Sequence, residues 1–505
     1  MTRKVQKSAD DVVGENLFFA EGPNMKTKER SKTSMTTENR RKEDMSKAKA
    51  EESGESLVPL LNSAMVGKAE MEKSLLPSGY DAYIATIESM VDDCNMKVAV
   101  AKVKGNKGAP GIDGVTTEEI DADMQKKWPQ IREAILDGKY SPSPVRRVEI
   151  PKPNGSGVRQ LGIPTVMDRI IQQAIYQELV PVFEPIFSQY SYGFRPNRSA
   201  HQAVLQAQSY IRAGCDWVVD IDLEKFFDKV NHDKLMARIA RRVKDKKILL
   251  LIRRFLQAGG MEDGLVKPTD EGTPQGGPLS PLLSNIMLDD FDKELEERGL
   301  RFARYADDCN IYVKSERAGQ RVMEGVVRYL TQELKLKVNQ QKSAVDNPWK
   351  RKFLGFTFTR GKDPNRIAVH ESRVKRLKDK VRGLTKKMRG GQLTDNIRKQ
   401  LMPITRGWVN YFGLAEARNI FVALDGWIRR KIRGTIWRQW KKPRTRCKRL
   451  IALGLKEGSA RKAAYSGKGP WRMAKTRSMH KALSNAVIES MGYIPMADIV
   501  RARSQ

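Results

Sequence analysis

The hydrophobic rhythm of the chain changes along its length. Up to about residue 60 it has none. KTKERSKTSMTTENRRKEDMSKAKAEESGES holds almost no aromatic or β-branched residue, so residues 1–79 are predicted to be a disordered or helical extension. A helical spacing then runs from Tyr80 to Lys104 (Tyr83, Ile87, Met90, Val91, Val98) and breaks at the turn-rich GNKGAPGIDG. Arg146–Pro151 and Val158–Pro164 flank PNGSG and predict a β-hairpin. The periodicity to about residue 360 predicts helices at 165–185, 199–213, 232–258, 281–297 and 316–334, with strands at 217–223, 302–306, 309–314 and 353–359. From 361 onward the spacing is helical throughout.

Composition narrows this picture. The 505 residues leave room for two to four domains at about 100–200 residues each. No run of apolar residues reaches the length of a spanning helix, and MTRKVQKSADDVVGENLFF is charged where a signal peptide needs an apolar stretch. Both predict a cytoplasmic protein. The four cysteines, at 94, 215, 309 and 447, form neither a disulfide framework nor a CxxC clip, and the four histidines are scattered. No P-loop or GxGxxG occurs. Charge is the strongest signal. Lys and Arg number 93 against 60 Asp and Glu, and Glu371–His480 alone has 31 against 6, a net of +25. Concentration of one sign in one segment predicts a polyanionic partner, either nucleic acid or an anionic membrane.

Two acidic motifs offer chemistry. In DWVVDIDLEKFFDKVNH the alternation puts Val219, Ile221 and Leu223 on one strand face, Asp220 and Asp222 on the other. In RFARYADDCNIYV two adjacent aspartates, Asp307 and Asp308, interrupt a hydrophobic run at the tip of a hairpin. Aspartate favours turns in general. Adjacent carboxylates nevertheless repel, and a dication would neutralise them. Asp222 brought alongside would complete an oxygen cage of the kind Mg²⁺ prefers.

Tyr305-Ala306-Asp307-Asp308 resembles the YxDD box of reverse transcriptases, and DIDLEKFFD resembles their first catalytic motif. GTPQGGPLSPLLSNIMLDDFDKEL (272–295) is similar to a motif of group II intron reverse transcriptases. Further matches follow in the expected order: GAPGIDG (108–114), IPKPNGSGVRQLGIPTVMDRIIQQA (150–174), YSYGFRPNRSAHQA (190–203), LKLKVNQQKS (334–343) and FLGF (353–356). ITRGWVNYFG (404–413) and LDGWIRRKIRGTIWRQWKKPR resemble the thumb and domain X of group II intron maturases. The resemblance spans residues 85 to 485. It departs in one place: VRQLGIP lacks the proline that many relatives have after the arginine.

That resemblance implies an α+β right-hand polymerase, with fingers and palm at 80–360, a basic all-helical thumb and domain X at 361–485, and a short tail at 486–505. Asp222, Asp307 and Asp308 become the catalytic carboxylates, holding two Mg²⁺ with the Leu223 carbonyl as a further ligand. Lys152 and Arg159 match cations that hold the incoming triphosphate, a job Arg146 and Arg147 could share. Phe227 matches the residue that lies under the incoming sugar and excludes a 2′-hydroxyl. Gln275 would lie beside the new base pair, and Lys342 matches a lysine that serves the leaving pyrophosphate.

Trp427 to Lys442 places Ile428, Ile432, Ile436 and Trp440 on one stripe of a helix, with cations around it. Arg429, Arg430, Lys431, Arg433, Arg438, Lys441, Lys442 and Arg444 are the candidate RNA-binding residues. The implied partners are intron RNA, template RNA, primer DNA and dNTPs, with no membrane, and the oligomeric state stays open between monomer and homodimer. The low cysteine and histidine count argues against a zinc-stabilised nuclease and resembles the endonuclease-lacking members. Two other readings stand beside this one: a splicing-only maturase with an idle polymerase, and an intron-type enzyme recruited to defence or repair.

Overall fold

The computed structural model describes residues 83–151, 158–262, 265–267, 271–273, 276–360, 364–388 and 393–503. Lys152, Gln275 and the extension at 1–79 lie outside the described residues.

The first region is built on two sheets. Strands β1 (Val145–Pro151) and β2 (Val158–Ile163) form the hairpin read from the sequence, with Arg147 opposite Gly162 and Ile150 opposite Arg159. Short strands β4 (Gly260–Glu262) and β5 (Leu265–Lys267) extend this sheet in the order β2-β1-β4-β5. The second sheet has the order β6-β7-β3-β8, using β3 (Trp217–Ile221), β6 (Arg301–Tyr305), β7 (Asp308–Val313) and β8 (Ala344–Asp346). All of its pairings are antiparallel.

Both faces of the second sheet are covered. Val219, Ile221, Phe302 and Ile311 enter a large core with helices α1 (Asp93–Gly105), α2 (Val166–Phe183), α3 (Ser280–Glu297) and α4 (Glu316–Gln332). Val218, Ala303 and Tyr312 face the other way, onto helix α5 (Ala200–Arg212) and Phe353, Phe356 and Phe358. Helix α2 buries residues all round, as its even apolar composition requires, and Thr165 caps it by accepting from the Asp168 amide. Helix α5 starts with a capping box between Ser199 and Gln202.

The second region is helical. Helices α6 (Glu371–Lys387), α7 (Met402–Phe412) and α8 (Asn419–Gln439) share a core with the segments up to Val500. Its junction with the sheet region is aromatic: Phe412 packs on Phe356 at a centroid distance of 5.2 Å, and the Tyr411 hydroxyl donates to the Leu354 carbonyl at 2.9 Å.

Several expectations need correction. Residues 232–258 are two helices, His232–Arg242 and Lys246–Gln257, because Asp245 caps the second through the amides of Lys247 (2.7 Å) and Ile248 (3.2 Å). The region after 361 includes a strand, Ile367–Val369, paired with Phe356–Phe358. A helix at Ile120–Leu136 and strand β8 had no expectation behind them. Residues 486–503 are no tail. Ile488, Tyr493, Met496 and Val500 lie buried in the helical core. The Asp425 carboxylate anchors this end, accepting from the Tyr493 hydroxyl (2.6 Å) and the amides of Met496 (2.8 Å) and Ala497 (2.9 Å).

Candidate active site and nucleic-acid interface

The register of the second sheet decides where the carboxylates meet. Ile221 of β3 pairs with Cys309 of β7, so one further step along both strands sets Asp222 beside Asp308. Tyr305 pairs with Asp308, leaving Ala306 and Asp307 as the two-residue turn of the β6–β7 hairpin. Ala306 takes a left-handed φ of 58°, a conformation such turns demand and a Cβ resists. The backbone of Asp222 is pinned on both sides: its amide donates to Ser343 Oγ (2.9 Å) and its carbonyl accepts from the Asn339 amide (2.8 Å). Leu223, buried, continues this pairing by bridging to Val338.

The carboxylates differ in their surroundings. Arg351 forks onto Asp220 at 2.9 and 2.5 Å, which makes Asp220 a structural anion and leaves Asp222 facing the turn. Burial, then the neighbouring charges of Asp220 and Asp307, push the Asp308 carboxyl well above the usual carboxylate range, against a pull from Lys352. Lys342 Nζ lies 3.4 Å from Asp222 Oδ1. This lysine is exposed, so the interaction is a loose, screened one.

Of the nucleotide candidates, Phe227 stands on a 3₁₀ turn, Phe226–Asp228, half-buried and edge-on to Phe226 at 5.4 Å. Its carbonyl accepts from the Thr273 amide at 2.6 Å, tying this turn to the segment before the Gln275 loop. Gly276 of that loop has φ +130°, and a Cβ there would meet the Gly162 carbonyl at 2.6 Å. Only glycine permits so close an approach to the fingers hairpin. Arg159 lies on β2. Arg146 has another employment: its Nη2 donates to the Pro110 carbonyl at 2.8 Å, fastening the GAPGIDG segment.

In the helical region, Ile428, Ile432 and Ile436 are buried as the stripe predicts, and Trp440 packs partly against the same core. The cations divide. Arg433 is buried, with Nε donating to the Leu483 carbonyl (2.7 Å) and Nη2 to Asn485 Oδ1 (3.0 Å), so it fastens the helical core and is withdrawn from the RNA-facing set. The buried arc is wider than the isoleucine stripe because residues 470–500 cover a second side of α8. Arg430 lies over the Trp471 ring at 3.7 Å and donates to the Trp471 carbonyl. Lys431 lies between Trp471 (4.7 Å) and Trp427 (5.5 Å). Burial, then the charges of Arg382, Arg438, Arg430 and Lys386, lowers its ammonium pKa. Arg438, Lys441, Lys442 and Arg444 are exposed.

Comparison with known proteins resolves what this pairing of an acidic turn with a basic bundle belongs to. Residues 150–358 match the family described as reverse transcriptase (RNA-dependent DNA polymerase), and residues 374–451 the group II intron, maturase-specific domain. Protein YkfC of Escherichia coli is 36% identical over 280 residues, which cover 48% of this chain and 73% of that protein. The chain belongs to the group II intron reverse transcriptase and maturase family. The group II intron-encoded protein LtrA of Lactococcus lactis is 40% identical over 207 residues, covering 41% of this chain but 34% of LtrA. A chain of the solved partial Cas6-RT-Cas1–Cas2 complex is 23% identical, with a TM-score of 0.31 over 49% of this chain and 42% of that one.

Reverse transcriptase domains use divalent metal ions, and the donor set here suits one. It consists of carboxylate oxygens, and burial, then repulsion from neighbouring carboxylates, pushes Asp308 up, a repulsion that a cation would relieve. Among the described residues, no three His, Cys, Asp or Glu side chains are drawn together in ligand geometry. Among the described residues, no helix of this reverse transcriptase is long and apolar enough to cross a membrane.

Sequence reasoning missed two groups of this site. Arg351 and Lys352 act on the carboxylates from the loop before Phe353, and their only signal was a basic pair ahead of FLGF. Arg304 lies buried beneath the turn, and nothing in the YADD motif it precedes marks it as buried.

Proposed function

We propose that this reverse transcriptase copies RNA into DNA at Asp222, Asp307 and Asp308 with two Mg²⁺ ions, and that its basic helical region binds intron RNA to assist splicing and mobility by target-primed reverse transcription. The carrying observation is the strand register that brings Asp222 beside Asp308 at the hairpin turn. Bound ions would supply positive charge for the attacking primer hydroxyl and the departing pyrophosphate, with the Leu223 carbonyl as a further ligand.

The chain's own residues do the rest. The primer 3′-oxygen bonds to the α-phosphorus of a dNTP, the bond from that phosphorus to the pyrophosphate oxygen breaks, and the hydroxyl proton passes to solvent water. Lys342, adjacent to Asp222, offers a positive charge to the departing phosphates. By the family resemblance, Lys152 and Arg159 would contact the triphosphate and Gln275 the new base pair. The half-buried Phe227 ring is the floor under the sugar, where a 2′-hydroxyl would meet it. Arg429, Arg430, Lys431, Arg438, Lys441, Lys442 and Arg444 neutralise phosphates of the intron RNA, supported by the +25 net charge of Glu371–His480. Four free cysteines, scattered along the chain, support a cytosolic enzyme.

Primer extension on an RNA template with Mg²⁺, comparing the wild type with Asp307→Ala plus Asp308→Ala, tests this reading. Extension is expected to fall by about 10³-fold or more in the variant, since the charge-stabilising site is gone. A folded, RNA-binding wild type that extends nothing would leave splicing assistance as the sole activity.

A further inference from the structure

Beneath the aspartate turn lies a charged network that the polymerase reading does not use. Arg304 of β6 and Asp292 of α3 are both fully buried, with 1% and 0% of their side chains exposed. The guanidinium forks onto Asp292, Nε to Oδ1 at 2.7 Å and Nη2 to Oδ2 at 2.5 Å. Its remaining nitrogen, Nη1, reaches Asn285 Oδ1 at 3.1 Å and the carbonyl of Ala306 at 2.8 Å. That carbonyl belongs to the left-handed residue of the turn, which precedes Asp307.

A second grip comes from the loop 190–195. A Cβ on Gly193 would meet the Ala306 amide nitrogen at 2.2 Å, so this loop lies directly against the turn. Asn285 Nδ2 donates to the Gly193 carbonyl at 2.9 Å, which makes Asn285 the link between loop and arginine. Strand-like bonds add to the hold: Tyr192 donates to the Arg304 carbonyl at 2.8 Å, and Arg304 donates to the Tyr190 carbonyl at 2.9 Å. Arg195, also buried, fixes the same loop through the carbonyls of Ser188 (2.5 Å) and Ser191 (2.9 Å).

A buried ion pair is poor evidence of stability, because desolvating two charges offsets most of their attraction. What this one does have is direction. Four hydrogen bonds fix the guanidinium plane, and one of them ends on the peptide that orients the two aspartates. We propose that Arg304, oriented by Asp292 and Asn285, is a positioning residue that locks the Ala306–Asp307 turn and thereby sets the direction of the Asp307 and Asp308 carboxylates. This rests on the polymerase reading of those aspartates, and one arm of the test below is independent of it.

Two variants separate positioning from mere folding. Arg304→Lys retains a positive charge for Asp292 and loses the Nη1 group that reaches Ala306 and Asn285. Asn285→Ala leaves the Arg304–Asp292 pair whole. Turnover per active site, counted by burst amplitude, is expected to fall about 10–100-fold in Arg304→Lys and about tenfold in Asn285→Ala, the scale of a sub-ångström to 1 Å misplacement. The KM for dNTP and the affinity for template–primer without metal should each stay within about threefold, since neither residue touches a substrate. Hydrogen–deuterium exchange on metal-free protein should quicken in the peptide covering 304–308 and little elsewhere. A purely structural role would lower the burst amplitude and the Tm with wild-type turnover per site and unchanged local exchange, and that result overturns the proposal. Should Arg304→Lys fail to fold, Asn285→Ala decides by the same two readings. A wild type without polymerase activity defeats the polymerase reading, while the exchange arm still reports whether Arg304 holds the turn.

Discussion

The sheet region and the helical bundle spend their charges in opposite ways. Around the aspartate turn, charges are paired and buried or half-buried: Arg304 with Asp292, Arg195 with Glu184, Arg351 with Asp220. In the bundle, cations stand beside other cations and over indole rings, as Lys431 does between Trp427 and Trp471. Pairing fixes an atom's position and cancels its field. Crowding of one sign does the reverse, leaving a field strong enough to attract phosphate and a geometry loose enough to accommodate it. Arg433 is instructive because, inside the second region, it is buried and fixed in place by hydrogen bonds, though its partners are neutral.

The largest effect should come from thinning the crowded cations. Replacing Arg430, Lys431 and Arg438 together with Ala is expected to weaken intron RNA binding by about 10–100-fold at moderate salt. The slope of log K against log salt should become shallower by about 0.7–0.9 for each phosphate no longer neutralised. Filter binding across a salt series measures both, and an unchanged slope would break the comparison.

A middling effect is expected where the bundle uses pairing. Asp425→Ala removes the acceptor of the Tyr493 hydroxyl and of two amides at the start of the last helix, and should cost about 2–4 kcal/mol of bundle stability. Arg433→Met should likewise lower the Tm and leave the salt slope of RNA binding alone, a result that thermal melting and binding together would check.

The smallest effect sharpens the acidic side. Asp308 has a folded pKa above its unfolded value, so between those two pH values the folded state binds more protons. Without metal, stability should therefore fall as pH rises from the ordinary carboxylate range through the raised value, and added divalent cation should restore it. Asp308→Asn should flatten that pH slope and raise the metal-free Tm near neutrality. Melting curves with and without chelator would show the sign.

Much of this was legible because it is local. Alternation placed β3 and the β6–β7 hairpin, and the turn residues placed Asp307 in its bend, whereas Asp308, expected beside it at the tip, is the first residue of β7. What stayed hidden was non-local or brief. Arg304 meets Asp292 and Asn285 across 12 and 19 residues, pairings no periodicity announces. The helix at Ile120–Leu136 carries a proline, Pro129, which reads as a break, although Ile120, Met124, Trp128, Ile131 and Ile135 keep a helical spacing and pack on the core. Strand β8 has three residues, too few to display a period of two. In the sequence Arg433 belongs to the surface set because a single isoleucine stripe implies one covered side, and α8 is covered on two.

The order of strands also has a consequence for biosynthesis. β3 is bordered by β7 on one edge and β8 on the other, and its partner in β8, Ala344–Asp346, is translated more than a hundred residues later. At about 5–20 residues per second, roughly 6–25 s pass between the emergence of Ile221 and that of Asp346. For that interval the β8 edge of β3 stays unfilled, and until β7 has emerged both edges are, the kind of nascent segment that recruits wrong neighbours. The ribosome's pace through residues 222–346 is thus a determinant of yield, and slower codons there would lengthen the exposure.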